Sequence, residues 1–307
     1  MALGPTENQV QVAYHDGLRL LLQQETSRIW QYCEPFNVDA EQGLSFDEIA
    51  PFEDPLPFVP GSDYQPITVS ELQFTRRWLQ TASWKFTKHW PYFSDTVRLT
   101  DPTSSVMRQI AMTYNRRKDS VAVAAMFAAV KRGKTLPGDD TDVTFPAGQV
   151  IAVDVVNSGT PAATGLNRAK LNAVFALFVK NEAIMDDGPG NGLHMAITAK
   201  QLKDMLNDDK VTDRDSLLGQ FERTGRLNYL NIDFHNYQAL PVDGNSYRRC
   251  PVWMPMGMRV GVTRELTTDL SQRKDWEGLP WQAHAHAQFG AARAEEKMIA
   301  EVKCSEA

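Results

Sequence analysis

The chain has 307 residues, 42% hydrophobic and 23% charged, enough to bury a sizeable core and to form two sub-domains. Its net charge of -6 supplies no basic stripe for strong nucleic-acid binding, so nucleic acid near this protein is expected to be contained rather than read. Three well-separated cysteines, Cys33, Cys250 and Cys304, suit a reducing compartment and argue against a disulfide framework or zinc ribbon, and the longest apolar run, residues 121–130, is too short to cross a bilayer.

In residues 9–31 the apolar positions Val12, Leu18, Leu21, Leu22, Ile29 and Trp30 are loosely helical in spacing and interrupted by Asp16-Gly17, as in an arm or peripheral helix. Residues 33–65 then carry Pro35, Pro51, Pro55, Pro57 and Pro60 with acidic residues and Phe36, Phe46, Phe52 and Phe58. Such a stretch has no central-strand or helix pattern, yet it has too many phenylalanines for a solvated linker, so it is expected to lie against another subunit. Residues 67–90 are rich in aromatic residues, Phe74, Trp78, Trp84, Phe86 and Trp90 among them.

Residues 100–133 organise the rest. Asp101 stands at an N-cap and Pro102 at the first helical position; Val106, Ile110 and Tyr114 recur at helical spacing, and Val121, Ala124, Ala125, Ala128 and Val130 carry the register to Gly133. The prediction is a spine helix of about 30 residues, about 45 Å long. Its middle, Arg116, Arg117, Lys118 and Asp119, is charged all round. Beyond it, residues 149–156 read as a buried strand and residues 166–183 as a helix, and Thr198 with Gln201 forms a capping box ahead of another short helix. Residues 227–234 alternate. Near the carboxy terminus three segments alternate with period two: Met256 to Val262, Trp281 to Phe289 and Met298 to Cys304. They are expected to form one sheet with a buried face, covered by the spine.

No stretch nominates a nucleophile with its base. His284 and His286 share one strand face at a spacing that metal sites use, but glutamines flank them and no carboxylate or cysteine interleaves, so a metal-dependent enzyme is a remote alternative to a solvated strand. Gly133-Lys134-Thr135 lacks the first glycine and the following helix of a phosphate-binding loop; the glycine-rich residues 188–192 lack the strand-to-helix context of a dinucleotide site; Asp204, Asp208, Asp209, Asp213 and Asp215 lack the spacing of a calcium loop. No cofactor or catalytic residue is expected.

The ending Phe289-Gly290-Ala291-Ala292-Arg293-Ala294-Glu295-Glu296-Lys297, running into Val302-Lys303-Cys304, resembles the carboxy-terminal end of the tailed-bacteriophage major capsid proteins. Asp101-Pro102-Thr103-Ser104 leading into a long helix that bears Arg117-Lys118-Asp119, the run of residues 225–234, and the early Gln23-Gln24-Glu25-Thr26-Ser27-Arg28 are similar to that family in the same order. The resemblance implies an α+β capsid fold shared with herpesvirus shells and encapsulins: an amino-terminal arm (1–36), an extended loop (37–92), a peripheral domain with the spine helix (93–143), an axial domain (144–255), and peripheral carboxy-terminal strands (256–307). It implies a self-assembling shell of pentamers and hexamers enclosing double-stranded DNA, built in the host cytoplasm, with a portal and possible decoration protein; an encapsulin-like compartment is the alternative. With no segment ahead of the arm in the sequence, a separate scaffolding protein is expected rather than a cleaved leader. Phe46, Phe52, Phe58, Trp78 and Trp84 are the expected contacts with a neighbouring subunit.

Overall fold

The structure, a computed structural model, describes residues 23–36, 44–49, 74–90, 103–134, 142–157, 159–183, 192–207 and 228–306. In chain order its elements are β1 (Glu34–Pro35), β2 (Leu44–Ile49), β3 (Phe74–Leu79), β4 (Ala82–Trp90), α1 (Thr103–Phe127), β5 (Lys131–Arg132), β6 (Val150–Ile151), α2 (Arg168–Lys180), β7 (Leu193–Ile197), α3 (Ala199–Leu206), β8 (Asn228–Tyr229), β9 (Ile232–Asn236), β10 (Arg248–Trp253), β11 (Met258–Gln272), β12 (Trp281–Arg293) and β13 (Ile299–Cys304). The fold is α+β, with sheets in the orders β1-β11-β12-β4, β6-β13-β10-β7-β9-β8 and β2-β3-β5. Of the described residues, those within 1–26, 83–117 and 264–288 form one compact unit, and those within 27–82, 118–263 and 289–307 form a second.

The spine is α1, 25 residues long. It stops at Phe127 and not at Gly133, because the next residues pair as strand: Val130 bridges Val143, and Lys131 and Arg132 lie opposite Trp78 and Arg77. Gly133 has φ 135, a left-handed value open to glycine, and turns the chain out of that strand.

In the first unit Val106, Met107 and Ile110 of α1 pack on Phe86, Leu266, Leu270, Ala283 and Ala285. The period-two alternation of β12 produces that face: Ala283, Ala285 and Ala287 are buried, whereas His284 and His286 between them are only partly covered. So the spine does cover the sheet, over its first half.

The second unit has the larger core, in which Ala122, Val123 and Met126 of α1 join residues of α2 and of the six-stranded sheet. Here two expectations are corrected. β13 lies between β10 and β6 instead of beside β12: it runs antiparallel to β10 from Ile299 opposite Trp253 to Cys304 opposite Arg248. Alternation identifies a buried face but not a partner strand. The strand expected over residues 149–156 is only the two residues of β6, which pair with Glu301 and Val302. The capping box is present, with Gln201 Oε1 accepting from the Thr198 backbone N–H at 3.0 Å. Lys170, fully buried in the first turn of α2, donates from Nζ to the carbonyls of Thr164 (2.7 Å), Gly165 (2.9 Å) and Lys303 (3.0 Å), which ties α2 to β13. Burial pushes its pKa down, and these acceptors satisfy its three donors.

Candidate functional site

β2 and β3 form a hairpin, with Leu44 opposite Leu79 at its base and Ile49 opposite Phe74 at its open end, where residues 50–73 are attached. Its two faces differ. On the inner face Phe46 and Leu79 are buried with Ala292 and Ala294, and Phe36 packs on them. Arg77 lies on the same face and donates to Glu296 through Nη1 (2.5 Å) and Nη2 (2.9 Å) and to Glu48 through Nε (2.9 Å). On the outer face Arg76 holds Asp47 through two hydrogen bonds of 2.6 and 2.8 Å, and Ile49 and Phe74 are 58% and 61% exposed.

Glu296 also accepts from Arg293 Nε at 3.2 Å. Arg293 is fully buried and closes the end of the spine: Nη1 donates to the carbonyls of Met126 (3.0 Å) and Ala128 (2.9 Å), and Nη2 to that of Val143 (2.9 Å). A helix leaves its last carbonyls without intrahelical donors, and a cation at that end is favoured by the macrodipole. Burial lowers the pKa of this guanidinium, but an arginine side chain keeps its charge in a protein. Burial would raise Glu296, but Arg77 and Arg293 outweigh it and hold the carboxyl below its ordinary range. Glu48 is pushed up, by burial first, with Glu296 and Glu295 adding to it against Arg77.

Residues 27–30 are fixed on the spine by Asp119. This fully buried carboxylate accepts from Ser27 Oγ (2.6 Å) and from the backbone N–H groups of Arg28 (2.8 Å), Ile29 (3.1 Å) and Trp30 (3.1 Å). It acts as an N-cap supplied from another element for the short 3-10 turn Trp30–Tyr32. Ile29 enters the core, and the Trp253 indole N–H donates to the Tyr32 carbonyl at 3.0 Å.

Phe46 is 8% exposed and packs with Leu79, Ala292 and Ala294 on the hairpin's inner face. Trp78 is partly buried and donates to the Gly133 carbonyl at 2.8 Å; Trp84 stacks under Arg117 at 3.8 Å. Phe52 and Phe58, the glycine-rich residues 188–191 and the aspartates 208–215 lie outside the described residues. The rings of His284 and His286 are 5.8 Å apart, with Thr87 Oγ1 2.9 Å from His284 Nδ1. Among the described residues no group of three or more His, Cys, Asp or Glu could hold a metal, and no helix is long and apolar enough to cross a membrane.

A family model for phage capsid protein matches residues 6–306. No curated protein matches the chain. Among solved structures, the capsid of Ralstonia phage GP4 is 10% identical with a TM-score of 0.71, covering 99% of this chain and 97% of that one. The capsid asymmetric unit of cyanophage Pam1 is 10% identical with a TM-score of 0.67, covering 99% and 98%. The capsid of a native GTA particle is 14% identical with a TM-score of 0.64, covering 99% and 100%. At these identities the likeness to the solved structures is one of fold.

Proposed function

The chain belongs to the phage capsid protein family, and from that premise we propose that it is the major capsid protein of a tailed bacteriophage, forming the pentamers and hexamers of an icosahedral head around double-stranded DNA. It is a structural component of the virion and not an enzyme. The observation that carries the proposal is the extent of the match: the family model takes in residues 6–306, and the GP4 capsid fold covers 99% of the chain. The family match also favours a phage head over an encapsulin-like compartment.

Closed shells repeat one surface around each axis, so the contacts are heterologous, on the order of 2,000 Å² or more per subunit in total. Residues 37–92 serve as the extended loop, and its hairpin presents Ile49 and Phe74 to solvent where the loop begins, in support of a neighbour-facing role for Phe52 and Phe58. The partly exposed Trp78 extends that surface, and the partly exposed Trp84, which belongs to the first unit, is a separate proposed contact with a neighbour. The net charge of -6 fits a container that holds DNA without gripping it. A scaffolding protein, a portal and a decoration protein complete the proposed set of partners, with assembly in the host cytoplasm. Electron microscopy of the purified chain, alone and co-expressed with its scaffolding protein, tests the reading. Closed shells are expected, and a chain that stays monomeric under both conditions would refute it.

A further inference from the structure

The segment Trp30–Tyr32 ends on an aromatic stack. Tyr32 lies flat on His235, with ring centroids 4.0 Å apart at 25°, and 4.8 Å from the ring of His194. The two imidazoles are joined, His194 Nδ1 lying 3.0 Å from His235 Nε2, and the Trp253 ring flanks both at 5.8 and 6.0 Å. The strands dictate this arrangement. β7 and β9 run parallel with His194 opposite Asp233 and Ala196 opposite His235, and Trp253 of β10 is opposite His194. Residues two apart share a face, so His194, Asp233, His235 and Trp253 all stand on one side of the sheet. The indole bond from Trp253 and the stack on His235 therefore hold the same residue, Tyr32.

A hydrogen bond between two imidazoles requires one ring nitrogen to accept. It survives with a single extra proton in the pair and fails when both rings are imidazolium, because every ring nitrogen then donates and like charges stand with centroids 5.1 Å apart. Charged groups reach this cluster from several elements. Asp233 on β9 favours a first proton on His194. Arg28 donates to the Asn236 carbonyl, next to His235, at 2.7 Å. On α1, Asp119 holds the amides of Arg28, Ile29 and Trp30, and Lys118 lies 5.6 Å over the Trp30 ring. Asp233, the carboxylate opposite His194, balances one imidazolium and not two.

We propose that the His194–His235 pair is an acid-sensitive latch on the segment Trp30–Tyr32, holding Tyr32 down while it carries at most one extra proton and releasing it when both rings are protonated. Burial pushes His194 below its ordinary 6.5 against the pull of Asp233, so the docked segment binds fewer protons than the released one. Docking is complete above about pH 6.5 and weakens as pH falls below it.

The test is hydrogen exchange of the backbone amides of residues 29–33 in the purified full chain at pH 7.5 and 5.0, corrected for intrinsic exchange. Taking up one extra proton on release lowers protection by on the order of tenfold over this interval. His194→Phe combined with His235→Phe keeps two stacking rings that do not titrate, and should abolish the acid loss. If that variant does not fold, His235→Gln serves in its place, since its amide oxygen accepts from His194 and no second charge can form. Equal protection of the wild type at both pH values overturns the latch, as does an undiminished acid loss in a folded variant. An equal loss at the α1 amides of Val123 and Met126 overturns it too, because that would be unfolding of the whole unit.

Discussion

Replacing Arg293 by methionine should remove more stability than any surface change in this chain. The guanidinium makes three hydrogen bonds to the carbonyls of Met126, Ala128 and Val143 and one to Glu296, all from a fully buried position. Methionine fills much of the space but strands three acceptors, whereas Glu296 keeps its two bonds to Arg77. Breaking a buried charged set costs about 3 to 5 kcal/mol, and a stranded buried acceptor about 1 to 3 kcal/mol, so a loss of about 4 kcal/mol is expected. That is a large share of the roughly 5 to 15 kcal/mol available to a domain. Urea unfolding of the unassembled subunit, followed by tryptophan fluorescence, should show the midpoint falling by about 1.3 M at a slope of about 3 kcal/mol/M. Arg293→Lys keeps the charge but lacks the planar fork, and should lose about half as much. A shift below about 0.3 M for the methionine variant, or equal shifts for lysine and methionine, would refute the assignment of the effect to charge and donors.

Asp119→Asn should weaken docking of residues 27–30 by about 2 kcal/mol, because a neutral amide accepts less strongly and turns its own donors toward N–H groups; exchange of the Arg28, Ile29 and Trp30 amides should quicken by about thirtyfold. Phe46→Ser should destabilise the subunit itself by about 3 kcal/mol in thermal unfolding, since the ring is buried with Leu79, Ala292 and Ala294. Phe52→Ser with Phe58→Ser should instead leave the circular-dichroism spectrum unchanged and stop shell formation; unfolding of that pair, or normal shells, would sink their proposed role. His284→Ala with His286→Ala should change the unfolding free energy by no more than about 0.5 kcal/mol and leave particle yield unchanged, whereas stoichiometric metal in the wild type that is lost in the variant would contradict a structural strand.

Much of the architecture could be read from periodicity, and its failures have a common cause. The spine and the buried alanines of β12 are written in spacings of 3.6 and 2, which sequence displays directly. β7 and β10 left no such trace: the five residues of β7 are all buried, so nothing alternates, and β10 contains Pro251 and two arginines. The hairpin was hidden because its strands are six residues each and flank a proline-rich insertion. Asp119 read as one of several charges around a helix, since its partners lie about 90 residues away in sequence. Arg293 was visible only as part of a resemblance. The carbonyls it serves are exposed by the early end of α1, which depends on strand pairing that period alone does not encode.

Adjacent arginines on β3 give the hairpin two different responses to ionic strength. The Arg76–Asp47 pair has side chains 40% and 48% exposed, and about 1 M salt, with a screening length of about 3 Å, should erase most of its attraction. The Arg77–Glu296 pair, at 10% and 19%, stands largely outside the reach of dissolved ions. Concentrated salt should therefore loosen the hairpin's outward surface while its root stays seated, and dilution should restore the outer pair.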